Sequence, residues 1–163
     1  MTIVVSDTNI FIDLWAIGLL NELFELGVSV HTTDFVVAEL KKPEQAAFVR
    51  KASEDGRLTV KTFEASRIPF IADLLEGNLS MADGSVLLYA LEGGYTLLTG
   101  DRRLRRAAEE HGLEVRGVLY VVEQMYTRGV ITKETYKERL QKLLLTNRRL
   151  PGKEIMRILD SLV

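Results

Sequence analysis

Four acidic side chains stand where the sequence predicts the ends of strands or the starts of helices. Asp7 directly follows the β-branched run at residues 2–6, and Asp101 follows the apolar run at residues 95–99 after one glycine. Ligands of open parallel sheets bind outside the carboxyl ends of the strands, so we expect these two acids in one cleft. Asp83 lies in the first turn of a predicted helix, and Glu39 lies on a short predicted helix after the second strand.

The composition restricts the metal that such a cleft can bind. The chain has no cysteine and two histidines, which excludes thiolate and histidine-rich metal sites. A metal site must then be built mainly from oxygen, which favours magnesium or manganese over zinc. Carboxylates gathered in one cleft repel each other, and a divalent cation relieves that repulsion.

Each of the four acids also has a purely structural interpretation. Asp7 can close an Asx turn or cap a helix, and Asp101 can cap the helix that follows it. Ser80 and Asp83 match the S-x-x-D capping box. Glu39 can be one more solvated helix residue. Spacing alone does not separate caps from ligands, so both interpretations stay open at this point.

Strands alternate with helices along the first part of the chain, which predicts a parallel sheet covered on both faces. We predict strands at residues 2–6, 28–32, 58–60, 95–99 and 113–116, and helices at 10–26, 34–40, 43–54, 66–76, 80–92 and 101–111. The expected fold is an α/β class, three-layer α/β/α sandwich with a central parallel sheet of four or five strands. Beyond Gly117 the pattern is helical, and its apolar stripes must be buried against the domain or another copy of the chain.

Length and composition indicate one globular domain. The chain has 163 residues, of which 47% are hydrophobic and 27% charged. No apolar run approaches the roughly 20 residues that span a bilayer, and the N-terminus lacks the basic region of a signal peptide, so we expect a cytoplasmic protein with no membrane contact. Residues 1–100 carry 7 basic and 14 acidic residues and residues 101–163 carry 14 and 9, an asymmetry that indicates a polyanionic partner.

Four segments occur in an order and spacing that resemble the PIN-domain nucleases. They are D-T-N-x-F-I-D at residues 7–13, V-V-A-E-L at 36–40, M-A-D-G-S-V-L-L-Y-A at 81–90 and L-L-T-G-D-R-R-L-R-R-A-A at 97–108. The resemblance implies a PIN-like α/β domain over residues 1–117. Residues 118–163 are similar to the helical C-terminal extension of a prokaryotic, toxin-like branch of that superfamily, packed on the same domain.

The resemblance also implies a set of site residues. The catalytic cluster that binds Mg²⁺ or Mn²⁺ would consist of Asp7, Glu39, Asp83 and Asp101. Asn9 and Thr99 would orient carboxylates or water by hydrogen bonds, although ordinary turn and strand-end hydrogen bonding explains both residues as well. Asp13, in the same segment as Asp7, is interpreted as a solvated helix charge.

The function implied by the resemblance is metal-dependent hydrolysis of phosphodiester bonds by an endonuclease. RNA is the expected substrate, with DNA left open. Relatives of this kind are often toxins of toxin–antitoxin pairs, which implies a small antitoxin protein as partner and a homodimer. Many relatives carry a further acid shortly after the last aspartate, where this chain has Arg102, Arg103 and Leu104. A non-catalytic PIN-like module that binds RNA or a protein is therefore the alternative.

Two other α/β classes fit the residues less well. A phospho-acceptor receiver domain needs an acid pair after the first strand and a lysine after the last strand. Here Asp7 is followed by Thr8, and no lysine lies between Lys61 and Lys133. A dinucleotide-binding domain needs a G-x-G-x-x-G turn after the first strand, and none is present there.

A group of arginines follows the last acid of the cluster on a predicted helix. Arg102, Arg105 and Arg106 share a helix face by their i, i+3 and i+4 spacing. Because this face begins beside the proposed metal site, we expect it to bind nucleic-acid phosphates. The alternative is a solvated helix face, or one that pairs with Glu109 and Glu110.

Overall fold

One parallel sheet of five strands forms the centre of the computed structural model, which describes residues 1–146 and 150–163. The strands are β1 (Ile3–Ser6), β2 (Ser29–Thr33), β3 (Leu58–Lys61), β4 (Thr96–Leu98) and β5 (Val115–Arg116). They lie in the order β3-β2-β1-β4-β5, and each neighbouring pair is parallel. The expected fold class is confirmed, and its sheet has five strands.

Helices flank this sheet and continue beyond it. The described residues form α1 (Thr8–Ala16), α2 (Leu20–Leu23), α3 (Asp34–Glu39), α4 (Pro43–Glu54), α5 (Ile68–Asp73), α6 (Met81–Gly93), α7 (Arg102–Glu110), α8 (Val118–Thr127), α9 (Lys133–Thr146) and α10 (Gly152–Ser161). A 3-10 turn at Ala65–Arg67 precedes α5. Within the described ranges, no helix combines the length and apolarity that crossing a membrane would require.

The prediction of one continuous helix at residues 10–26 is wrong, because the chain turns at Gly18. This glycine has a φ of 72°, a left-handed conformation that glycine adopts without steric strain. Gly18 N donates to Trp15 O at 3.0 Å and Leu19 N donates to Leu14 O at 2.8 Å. This pair of hydrogen bonds is the Schellman motif that ends a helix, so α1 and α2 are separate elements.

The strand order places a topological switch point between β1 and β4. The chain moves from β1 to β2 and β3 on one side of the sheet, and to β4 and β5 on the other. Connections on opposite sides open a crevice at the carboxyl ends of the two central strands, where ligands bind in such sheets. Asp7 follows β1 and Asp101 follows β4, so both acids lie at this crevice.

The C-terminal extension is packed through α8 and α9. Helix α8 contacts α1 and α2, α9 contacts α8, and α10 contacts α9. The rings of Tyr126 and Tyr136 stack with centroids 4.7 Å apart, which joins α8 to α9. Leu140 and Leu143 of α9 and Ile155 of α10 are also buried. The apolar stripe predicted for α9 is therefore covered within the chain itself.

The interface between β2 and α6 is unusually polar for a buried contact. Thr33 Oγ1 and Ser85 Oγ, both fully buried, lie 2.7 Å apart. Further along the same interface, His31 Nδ1 lies 2.7 Å from the hydroxyl oxygen of Tyr89. Thr33 Oγ1 also accepts a hydrogen bond from Val36 N and caps α3. These bonds fix α6, which carries Asp83, relative to α3, which carries Glu39.

Candidate metal centre

Asp7 is a buried carboxylate at the end of β1. It is 2% exposed and caps α1, with Oδ1 accepting a hydrogen bond from Ile10 N at 3.0 Å. Oδ2 accepts a hydrogen bond from the Thr99 hydroxyl. Burial raises the pKa of the Asp7 carboxyl to about 7, although both hydrogen bonds act in the opposite direction. A carboxylate in this position is stabilised by any cation that replaces the lost hydration.

Thr99 connects the ends of the two central strands. Its fully buried hydroxyl donates to Asp7 and accepts a hydrogen bond from Asp101 N at 3.0 Å. One side chain therefore positions both the carboxylate after β1 and the backbone that carries the carboxylate after β4. The resemblance implied that Thr99 would orient a carboxylate or water, and in the structure its hydroxyl donates a hydrogen bond to Asp7 Oδ2.

Asp101 is half-buried and caps α7. Its Oδ1 accepts hydrogen bonds from Arg103 N at 2.8 Å and Leu104 N at 3.1 Å. Oδ2 makes no hydrogen bond with the described part of the chain and is available to a ligand. The capping interpretation of Asp101 is therefore correct, and it leaves one oxygen for a second role.

Asp83 has a structural role in a helix cap and also interacts electrostatically with the other acids. It forms a capping box with Ser80: Ser80 N donates to Asp83 Oδ2 at 3.0 Å, and Asp83 N donates to Ser80 Oγ at 3.1 Å. Burial raises the pKa of the Asp83 carboxyl, and the negative charges of Asp101 and Glu39 raise it further. Asp83 in turn raises the pKa of Asp7. All four predicted acids are thus electrostatically coupled through Asp83.

The glycine after Asp83 is required by close packing. A Cβ at Gly84 would lie 2.6 Å from Leu75 Cδ2, 2.9 Å from Ile71 Cγ2 and 3.2 Å from Ile71 O. Helix α5 therefore packs directly on the backbone of the first turns of α6, where Asp83 lies.

Glu39 and Asn9 lie at the edge of this group. Glu39 is exposed, and its Oε2 accepts a hydrogen bond from the Thr8 hydroxyl at 2.7 Å. This bond ties the end of α3 to the start of α1. Asn9 is half-buried, and its side chain makes no hydrogen bond with residues 1–146 or 150–163. The structure thus gives no carboxylate-orienting contact to Asn9.

The interpretation of Asp13 as a solvated helix charge is wrong. Asp13 is 7% exposed, and its negative charge raises the pKa of Asp7. The signal was available in the sequence: Ile10, Asp13, Leu14 and Ile17 follow the i, i+3, i+4 spacing of a buried stripe. Asp13 is therefore a fifth acid near the cluster, and sequence analysis missed it.

The donor set fits a divalent cation in its chemistry, while the side chains are not yet gathered around one point. In the conformation described for residues 1–146 and 150–163, no three acidic or histidine side chains are placed to hold one ion. Asp7 and Asp101 are N-cap residues, and Asp83 accepts a hydrogen bond from the backbone of the N-cap residue Ser80, so each carboxylate already has an oxygen bonded at a helix start. Binding one cation among them would require these side chains to rearrange.

The predicted basic face lies beside these acids. Arg102, Arg105 and Arg106 line one shallow depression of α7 together with Glu109 and Glu110. Within the described ranges, no ion pair of 4.0 Å or less joins these arginines to the two glutamates. The structure therefore does not support the alternative in which Glu109 and Glu110 form ion pairs with these arginines.

Comparison with known proteins agrees with this fold. A family model described as DUF3368, a PIN domain, matches residues 3–163. A solved structure of a PilT N-terminus domain protein from the hyperthermophilic archaeon Sulfolobus solfataricus P2 is similar, with a TM-score of 0.52 and 17% sequence identity over 74% of this chain and 90% of that chain. No curated protein matches significantly by sequence. The family match extends over nearly the whole chain, including the acidic edge and the helical extension, and the chain therefore belongs to the PIN-domain family.

Proposed function

We propose that this protein is a divalent-metal-dependent endonuclease that hydrolyses phosphodiester bonds in RNA, with Mg²⁺ or Mn²⁺ as the cation. The observation that supports this best is the Thr99 hydroxyl, which bonds both Asp7 and the backbone of Asp101 at the switch point of the sheet. It holds two acidic residues at the place where this fold binds ligands. Asp83 is coupled electrostatically to both.

Family membership supports the general class of this activity. PIN domains are generally nucleases, so a nuclease-type function is the conclusion that membership carries. The archaeal PilT N-terminus protein, at 17% identity, supports the fold alone. RNA as substrate and metal dependence go further than the family match and are part of the proposal.

The residues that would hold the cation are Asp7, Asp83 and Asp101, with Glu39 at the rim. A divalent cation held by these residues would supply charge that polarises the phosphodiester, lowers the pKa of water and offsets charge on the leaving oxygen. Thr99 contributes by orienting Asp7 and by favouring its ionised form through a hydrogen bond. The capping box holds the main chain of Asp83 in place through the hydrogen bonds that it exchanges with Ser80.

Neither histidine is placed to serve as a general base at this edge. His31 contacts Ser29 and Tyr89 inside the β2–α6 interface, and His111 contacts Ala107 O near the C-terminal end of α7. Glu39 is better placed, because it is exposed and one of its two carboxylate oxygens is already oriented by Thr8. The other oxygen is available to orient an entering water.

The experiment that tests the proposal is cleavage of a mixed RNA pool with Mn²⁺, with and without a chelator. We expect cleavage that requires the cation and is lost on chelation. Asp160→Asn is the control for substitutions of the site acids. Asp160 is an exposed acid on α10, so we expect this variant to cleave RNA as the wild-type protein does. Wild-type protein that binds RNA but leaves it intact at all Mn²⁺ and Mg²⁺ concentrations would contradict the proposal and favour the non-catalytic binding module.

The expectations of a toxin role, an antitoxin partner and a homodimer remain predictions from the resemblance, and a cytoplasmic location remains a prediction from the sequence. The same applies to the division at residue 117.

A further inference from the structure

Two fully buried hydroxyl groups join the helices that carry Glu39 and Asp83. Thr33 ends β2 and caps α3, and Ser85 lies two residues after Asp83 on α6. Thr33 Oγ1 and Ser85 Oγ lie 2.7 Å apart, and both residues are 0% exposed. The pair therefore connects the supports of two acids from a position behind the acidic edge.

The neighbouring hydrogen bonds determine which hydroxyl of the pair is the donor. Ser85 Oγ donates to Ala82 O at 2.7 Å, which uses the only hydrogen of that hydroxyl. Thr33 must therefore donate to Ser85, and its oxygen also accepts a hydrogen bond from Val36 N at 3.3 Å. The bonds form one chain from Val36 N through both hydroxyls to Ala82 O. This chain links the first turn of α3 to the first turn of α6.

Each end of this hydrogen-bonded chain lies close to an acid along the backbone. Ala82 directly precedes Asp83, whose main chain is also held by the capping box. Val36 and Glu39 lie about one helical turn apart on α3. The Thr8 hydroxyl holds the Glu39 side chain by donating to Oε2 at 2.7 Å. A shift of α3 relative to α6 would therefore change the separation of the two carboxylates.

Burial makes the two hydroxyls depend on each other. Both Thr33 and Ser85 are shielded from bulk water, so neither can exchange its partner for solvent. Removing one hydroxyl leaves the other buried with a bond unmade, which costs free energy unless the surrounding elements move. The elements that would move are the two helices that carry Glu39 and Asp83.

We propose that Thr33 and Ser85 are positioning residues of the metal centre, which set the separation of Glu39 and Asp83 for the cation. This inference rests on the proposed function and adds two residues that touch neither the cation nor RNA. They act through the backbone of α3 and α6. Loss of a group that orients a metal ligand typically weakens metal binding by about 10- to 100-fold, which sets the expected scale.

The test measures Mn²⁺ affinity in the absence of RNA, by isothermal titration calorimetry on the full chain. Thr33→Val and Ser85→Ala each remove one hydroxyl of the pair, and Thr33→Ser keeps it. Tyr89→Phe is the matched control, because Tyr89 lies one turn beyond Ser85 on α6 and its hydroxyl oxygen lies 2.7 Å from His31 Nδ1. This control removes a polar contact of the same β2–α6 interface, but farther from the acidic edge.

We expect Thr33→Val and Ser85→Ala to weaken Mn²⁺ binding by roughly 10- to 100-fold. Thr33→Ser should bind Mn²⁺ as the wild-type protein does. Tyr89→Phe should lower the melting temperature, as the other two substitutions do, without changing Mn²⁺ affinity. Circular dichroism at the titration temperature checks that each variant is folded, so a loss of affinity in a folded variant reports positioning.

Two results would overturn the positioning role. One is wild-type Mn²⁺ affinity in folded Thr33→Val and Ser85→Ala. The other is a loss of affinity in Tyr89→Phe as large as that in Ser85→Ala, which would show that affinity follows the general stability of the interface.

The positioning role and the proposed function fail in different ways. Mn²⁺ binding that depends on Thr33 and Ser85, in a wild-type protein that cuts no RNA, supports the positioning role and contradicts the nuclease. Metal-dependent cleavage with unchanged Mn²⁺ affinity in both variants leaves the nuclease and removes the positioning role. A wild-type protein that binds no Mn²⁺ contradicts the metal centre itself, and the positioning role with it.

Discussion

Two neighbouring groups of like charge differ in burial. The acidic edge consists of Asp7, Glu39, Asp83 and Asp101, and the basic face of α7 consists of Arg102, Arg105 and Arg106. Asp7 is 2% exposed and its pKa is raised to about 7, so its ionised form is disfavoured in the folded chain. Arg102 and Arg106 are exposed, and water screens their repulsion. Burial of the Asp7 carboxylate, with a smaller contribution from the charges of Asp83 and Asp13, therefore destabilises the fold at the edge, where a cation would restore stability. On the helix face they are tolerated and act mainly through a binding partner. Substitutions in the two regions should therefore differ in their effects on stability, activity and binding.

The largest effect is expected on activity when Asp7 loses its charge. Asp7→Asn keeps the shape and one hydrogen-bond acceptor, but removes a carboxylate from the proposed metal site. We expect the cleavage rate to fall at least about a hundredfold, the scale for losing a key electrostatic contact in catalysis. Single-turnover cleavage of RNA in Mn²⁺ measures this, with Asp160→Asn as control. A wild-type rate in Asp7→Asn would remove Asp7 from the site.

Metal binding should stabilise the folded chain through the same residues. Saturating Mn²⁺, at about a hundred times its Kd, should add about 2.7 kcal/mol to the free energy of unfolding. For a chain of this length that raises Tm by roughly 5–10 °C. Differential scanning calorimetry with and without Mn²⁺ gives the shift. An equal shift in the Asp7→Asn, Asp101→Asn double variant would place the cation elsewhere.

The metal-free protein should lose stability as pH rises from about 4 to about 7. The pKa of Asp7 is about 7 in the folded chain against the ordinary aspartate value of 3.8, so between these values the folded state holds a proton that the unfolded state has released. Asp7→Asn removes this penalty. In chelator at pH 8 we expect the variant to be more stable than wild type by about 1–3 kcal/mol. The difference should shrink as the pH falls toward 4.

Denaturant unfolding across that pH range measures the difference between the two proteins. A difference that stays constant with pH would show that the carboxylate is not the source of the penalty.

The smallest stability effect is expected on the basic face. Replacing Arg102 and Arg106, which are both exposed, with Gln should change the free energy of unfolding by less than about 0.5 kcal/mol, as for other surface substitutions. Binding of single-stranded RNA should weaken, and the slope of log affinity against log salt should decrease by up to about 0.7 per lost phosphate contact. Binding isotherms at several salt concentrations decide this. A large loss of stability with unchanged binding would show that the arginines stabilise the fold and do not bind RNA.

The sequence predicts the sheet and the positions of Asp7, Asp83 and Asp101 at helix starts well, because both depend on local patterns. β-Branched runs that end in an aspartate predict β1 and the position of Asp7 after it, and the S-x-x-D pattern predicts the cap that Ser80 and Asp83 form. The turn at Gly18 was missed because apolar residues keep a near-helical spacing on both sides of it. A helix pattern that runs through a glycine does not show whether that glycine takes a left-handed φ.

Residue spacing in the sequence does not predict contacts between segments that are far apart in the chain. Thr99 meets Asp7 across 92 positions of sequence, and their contact depends on the register between β1 and β4. Asp13 is different, since its place in the apolar stripe of α1 was readable from the sequence.

The glycine at position 84 has a consequence for how substitutions around the site should be interpreted. A Cβ there would lie 2.6 Å from Leu75 Cδ2 and 2.9 Å from Ile71 Cγ2, so a larger residue requires these side chains to move. A survey of tolerated residues is therefore expected to find substitutions at position 84 unfavourable, although Gly84 has no chemical group to contribute. Loss of activity in a Gly84 variant would result from displaced helices, which measurements of folding would detect. Loss of activity in an Asp83 variant that folds normally would show that the carboxylate itself is needed for activity. Intolerance to substitution in the Asp-Gly pair thus has two separate origins, one steric and one electrostatic.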